Sequence, residues 1–251
     1  MEDERVERRF EPDVERGPSW RCPWAVLAVV VGVSTPLFWW TDLDLRISRL
    51  FFTPTPIDGR LWIGAAGKAW PAVAASALWV GGGLVLGSIG VCLGWIWPRH
   101  RAVARRAALS YLIVLAVGPG LAINLGLKEY WGRPRPREIR EFRGRADYLP
   151  VLVLGSPHHG RSFPSGHAAS GFALIGAALS LRRDRCRRGA VYWTVAAVAL
   201  GGTFGLTRIA AGAHYLSDVV WSAIVTTTTA GIVVSLLPRR ATEDRDPVSG
   251  E

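Results

Sequence analysis

Lysine is almost missing from this chain of 251 residues: of 30 basic side chains only Lys68 and Lys128 are lysines, and the rest are arginines. Cysteine is scarce as well. Cys22 and Cys186 stand beside arginine-rich segments and Cys92 lies inside an apolar run, so three scattered thiols give neither a disulfide framework nor metal-ligand spacing. Carboxylates never gather into a cluster near the apolar segments. No small-residue cleavage site follows the first apolar run, so the sequence is not read as carrying a cleaved signal peptide. Above all, charge is absent from six long stretches: 22–41, 69–98, 107–127, 162–181, 189–207 and 219–238. A helix needs roughly 20 mostly apolar residues to cross the hydrocarbon core, and a soluble core does not produce six such windows.

What is present fits that picture. The reading is an all-α, polytopic membrane protein with six transmembrane helices. Residues 1–21, with seven acids and five arginines, form a disordered tail. A six-helix membrane domain over 22–238 follows, and 239–251 is a second disordered tail. The formal net charge of +10 resides mainly in short arginine-rich segments. Residues 99–106 hold four arginines and 182–188 hold five. Short basic loops mark the cytoplasmic side and attract acidic headgroups. Both tails then face the cytoplasm. No basic-aromatic module for nucleic acid is recognisable, so the partner is the lipid bilayer.

Three connections fall on the opposite face. Residues 42–68 include the amphipathic "DLDLRISRLFF", suited to the membrane interface. The connection 128–163 is long and polar, and a short turn surrounds 208–214. Three unusual polar clusters sit at these places. The first is "KEYWGRPRP", with Lys128, Arg133 and Arg135. The second is "PSGH", Pro164 to His167, and the third runs from Arg208 through His214 to Asp218. Two crossings separate the third span from the fifth, so all three clusters converge on one membrane face.

Their chemistry is that of phosphate transfer. His214 and Asp218 are four apart and share a helix face. A carboxylate there can fix the imidazole tautomer and free the other nitrogen as a nucleophile. Taken alone, the pair also admits the plainer reading of a helix-start aspartate and a satisfied interfacial histidine. Ser165 and Gly166 open a helix, where free N–H groups favour an anion, and His167 is placed to protonate a leaving group. Lys128, Arg135 and Arg208 supply positive charge for phosphoryl oxygens.

These residues resemble the type 2 phosphatidic acid phosphatase family, relatives of the vanadium haloperoxidases. The family's signature is Lys-x6-Arg-Pro, Pro-Ser-Gly-His and Ser-Arg-x5-His-x3-Asp. Here Lys128 precedes Arg135-Pro136 by the right interval, Pro164–His167 matches in full, and Arg208, His214 and Asp218 match the third part. Thr207 stands where the family usually has Ser and keeps a hydroxyl. The resemblance covers roughly 90–240. It implies catalytic roles for His214 as nucleophile, Asp218 as its orienting group and His167 as general acid. It implies phosphate binding by Lys128, Arg135, Ser165, Gly166 and Arg208, with no metal and no cofactor. Arg133 offers a second Arg-Pro pair, but too close to Lys128 for the pattern.

The implied function is a metal-independent lipid phosphatase of the bacterial inner membrane, acting at the periplasmic face. Its substrate would be a membrane lipid phosphate such as lipid A or phosphatidylglycerol phosphate. Undecaprenyl diphosphate is an alternative substrate. A non-catalytic lipid-binding relative, and a zinc site built from His158, His159, His167 and His214, are the competing readings. The extra charges at Arg137, Arg140, Arg143, Arg145 and Arg161 fit either a large anionic headgroup or an amphipathic segment on acidic lipid.

Overall fold

The structure, a computed structural model, describes residues 21–96 and 101–238. The expected tails lie outside these apart from Arg21, which opens the first helix. So does part of the first arginine-rich segment.

Helix α1 (Arg21–Trp40) leads to a short α2 (Leu43–Arg49). A hairpin of β1 (Phe52–Ile57) and β2 (Arg60–Trp62) follows, which adds a small antiparallel sheet to the expected all-α fold. Its turn is Asp58-Gly59, with φ of 51° and 72°. Positive φ at both central residues is what a tight hairpin turn of this kind requires, and Asp-Gly supplies it.

Helix α3 (Ala69–Leu93) is apolar around its whole circumference and ends on Gly94 in the left-handed conformation. It leaves Trp79 and Leu86 largely bare, as a helix facing hydrocarbon does. Helix α4 (Arg101–Leu115) continues as a π-helical stretch, Ala116–Leu127, into α5 (Lys128–Tyr130). Pro119 lies inside that stretch. Its ring displaces the preceding turn and removes a donor, and the wider winding absorbs the mismatch. Asn124 Nδ2 donates to the Pro119 carbonyl at 2.7 Å.

Four helices among the described residues are long and apolar enough to cross a membrane: Ala69–Leu93, Ala102–Tyr130, Arg187–Ala210 and Leu216–Leu236. They correspond to four of the six expected spans. The described apolar part of the first, Leu27–Trp40, is shorter. The fourth stretch breaks into α6 (Gly166–Phe172) and α7 (Ile175–Arg183). It is free of charge because it is enclosed by protein: α4, α8 (Arg187–Ala210) and α9 (Leu216–Leu236) pack around it. Small residues make this enclosure possible. A Cβ on Gly171 would stand 2.5 Å from the Gly201 nitrogen, so α6 and α8 meet backbone to backbone.

One end of the bundle gathers the basic loop between α7 and α8. Arg106 pairs with Asp184 at 2.9 Å, and Arg183 donates to the Leu237 carbonyl beyond α9 at 2.8 Å. The other end carries α2, the hairpin, the connection after α5 and the turn between α8 and α9. Leu45, Trp62, Ile139, Phe142 and Tyr215 form a separate apolar core there.

Candidate active site

His214 stands in the turn between α8 and α9 and is 2% exposed. Its Nδ1 lies 2.5 Å from the main-chain carbonyl oxygen of Ser162. A carbonyl oxygen only accepts, so Nδ1 carries the proton and Nε2 keeps its lone pair. Burial holds the imidazole below its ordinary pKa, against the opposing pull of Asp218 and with Lys128 and Arg208 adding to it. An unprotonated imidazole with a free Nε2 is the form that can attack phosphorus.

Asp218 orients His214 less directly than its i, i+4 spacing suggests. Its Oδ2 is 3.6 Å from Nδ1, within reach of charge but beyond hydrogen-bond length. Instead Asp218 holds the segment that holds the histidine. Ser162 Oγ donates to Asp218 Oδ2 at 2.6 Å, and the Tyr215 N–H donates to the same oxygen at 2.8 Å. The aspartate thus fixes the residues on both sides of the imidazole.

Arg133, passed over for its spacing, is central to this frame. It is fully buried and donates to Asp218 Oδ1 at 2.5 Å, to Asp44 Oδ2 at 2.9 Å and to the Leu149 carbonyl at 2.9 Å. The Tyr215 ring lies 4.3 Å from its guanidinium carbon. Burial opposes its charge, but Asp218 and Asp44 outweigh burial and raise its pKa above the ordinary arginine value. Asp44, near the start of α2, also accepts from the Ser217 N–H at 2.9 Å. The amphipathic segment is therefore bolted to the N-terminus of α9. Two successive Arg-Pro pairs were the available sign of Arg133; for Asp44 the sequence offered none.

Lys128, Arg208 and His167 lie within electrostatic reach of His214. Lys128, Arg208 and His214 lie close enough for their charges to act on His167, whose side chain is exposed. Arg135, Arg161 and Arg208 act likewise on Lys128. Ser165 precedes α6 without capping it, and its N–H points to the Asp218 carbonyl at 3.4 Å. A Cβ on Gly166 would stand 2.6 Å from Asn124 Oδ1, so glycine keeps the π-helical stretch close. Buried Nε of Arg135, Oγ of Ser165 and Nε of Arg208 have no protein partner. Buried polar atoms are normally satisfied, and an anionic oxygen is a partner that each of the three could take. Arg135 is otherwise braced by Glu138, which accepts from its N–H at 2.8 Å.

The zinc reading also needs two further histidines. His158 and His159 are exposed, with the His158 ring edge-on to Tyr130. Among the described residues no group of three or more His, Cys, Asp or Glu could hold a metal ion. Two of the extra charges of the connection are paired: Arg161 with Glu129, and Arg140 with Asp147 at 3.2 Å.

The sequence that builds this site and this helical bundle has known relatives. The family model described as PAP2 superfamily matches residues 107–241, more than half of the chain, and the chain belongs to that superfamily. It is similar to a lipid A 4'-phosphatase of Francisella tularensis subsp. novicida (strain U112), 35% identical over 137 residues, 54% of this chain and 60% of that protein. A lipid A 4'-phosphatase of Rhizobium leguminosarum is 38% identical over 128 residues, 51% of this chain and 52% of the relative. A lipid A 1-phosphatase of Rhizobium etli is 38% identical over 112 residues, 44% of this chain and 42% of the relative. The chain thus spans about half the length of the curated relatives it matches. No solved structure matches it significantly.

Proposed function

We propose that the protein is a membrane lipid phosphatase that removes a phosphate from a lipid A-like phospholipid headgroup through a phosphohistidine intermediate. The observation that carries this reading is a buried His214 whose Nδ1 is held by the Ser162 carbonyl, leaving Nε2 unprotonated, with Lys128, Arg208 and His167 within electrostatic reach. The printed activities of the relatives supply the lipid class.

In the first step Nε2 of His214 forms a bond to phosphorus while the bond from phosphorus to the lipid oxygen breaks. His167 gives its proton to that departing oxygen. In the second step water attacks phosphorus, His167 takes a proton from it, and the N–P bond breaks to release inorganic phosphate. Charge develops on the phosphoryl oxygens in both steps, and the arginines and Lys128 stabilise it. Asp218 and Arg133 keep the imidazole aligned without touching the substrate.

The reaction faces the periplasm in this reading, because the basic loop between α7 and α8 lies at the end away from His214. Residues 22–238 form the membrane unit, with both tails cytoplasmic. The test is phosphate release from lipid A by purified protein in detergent with EDTA present. The wild type is expected to turn over, and His214→Ala to lose at least about a thousandfold. Full activity in that variant, or no trapped acid-labile phosphoprotein in the wild type, would sink the nucleophile assignment.

A further inference from the structure

A cavity of about 720 Å³ adjoins the candidate active site. Arg208 lies in its wall, together with Arg60 and Asp58 from the hairpin and Arg137 from the connection after α5. Pro71 and Ala74, from the first turns of α3, form part of its apolar side. Three guanidinium groups therefore share one hollow with a single carboxylate. Arg137 is fixed there by its N–H, which donates to the Gly212 carbonyl at 3.1 Å, two residues from His214. Arg135 and Arg137 both lie within electrostatic reach of Arg208.

Neither Arg60 nor Arg137 forms an ion pair with another described residue. Arg137 and Arg208 are like charges within reach of each other, Arg60 lines the same hollow, and an anion there would be drawn to all three. The phosphate under attack already has Lys128, Arg135, Arg208 and Ser165, and none of these comes from the hairpin. Hollows of roughly 300–1,000 Å³ hold whole small molecules rather than single ions. The apolar wall from α3, a helix that faces hydrocarbon, gives the attached chains a way out of the headgroup site.

We propose that this cavity is a headgroup subsite in which Arg60 and Arg137 hold a second anionic group of the lipid. Arg208, shared between the two sites, grips the phosphate under attack. The inference rests on the phosphatase reading and deepens it: the preferred substrate carries two anionic groups on one headgroup. Arg60 lies outside the stretch 107–241 matched by the family model and Arg137 inside it, so the hairpin completes a subsite that the matched stretch only begins.

The test uses the full chain in nanodiscs and two acylated disaccharide lipids. One carries two phosphates, and the other carries only the phosphate that is cleaved. In Arg60→Ala and Arg137→Ala the ratio of kcat/KM for the two-phosphate over the one-phosphate lipid is expected to fall about tenfold, mainly through KM. Arg60→Lys should recover part of it. An unchanged ratio, or equal losses on both lipids, overturns the subsite. Equilibrium binding of the two lipids to the same nanodiscs needs no turnover and separates the two claims. Hydrolysis of neither lipid by the wild type defeats the phosphatase reading. A binding preference for two phosphates that vanishes in Arg60→Ala upholds the subsite, and one that persists defeats it.

Discussion

Arg133 donates to Asp218 across 2.5 Å with both side chains wholly removed from solvent. The same guanidinium reaches Asp44 on α2, so one buried cation is shared between two buried carboxylates. A buried ion cluster is not in itself a large source of stability, because desolvation offsets most of the attraction. Removing one member is another matter. Here the members also set the position of Ser162, and through it the tautomer of His214.

Arg133→Ala leaves Asp44 and Asp218 buried and without their cation. The expected loss is about 3–5 kcal/mol of stability, with activity lost as well. Arg133→Lys keeps the charge but not the forked geometry, and should recover only part of it. Thermal unfolding in detergent checks this, and an unchanged midpoint for Arg133→Ala would show that the cluster is incidental. Asp44→Ala is expected to destabilise in the same way, although it lies outside the matched stretch 107–241.

His167 is assigned to protonate the departing oxygen, which matters most when that oxygen is a poor leaving group. His167→Ala should lower kcat on a lipid phosphate by about a hundredfold to ten-thousandfold. On an activated aryl phosphate the loss should be much smaller, since little protonation is needed. Equal losses on both substrates, measured side by side, would remove the general-acid role.

The buried imidazole of His214 carries a pH signature. An ordinary imidazole takes up its proton near pH 6.5, and burial moves His214 below that value. A lowered pKa means the nucleophile stays unprotonated as the pH falls through 6.5. Histidine-labelled NMR should therefore show a neutral ring, with the proton on Nδ1, across that range. A ring that becomes doubly protonated at or above 6.5 would contradict both the burial and the assigned role.

Much of the fold is legible in the chain because a charge-free run is a local property. The stretches 69–98, 107–127, 189–207 and 219–238 correspond to the four helices able to cross a membrane. The run 162–181 folds as two short helices, α6 and α7, which lead from the His214 end of the bundle to the basic-loop end, and no local pattern showed the break between them. The hairpin has one local sign, Asp58-Gly59, next to the longer amphipathic pattern of "DLDLRISRLFF".

The motif spacings by themselves determined which side chains could do phosphate chemistry, because histidine, arginine and lysine carry that capacity wherever they stand. Only the tertiary structure decided their partners. Arg133 meets Asp218 and Asp44 across 85 and 89 residues of sequence, and His214 meets a main-chain carbonyl 52 residues away. Hydrogen bonds of that kind depend on which segments are buried together. Burial is a property of the assembled bundle, and no local pattern records it.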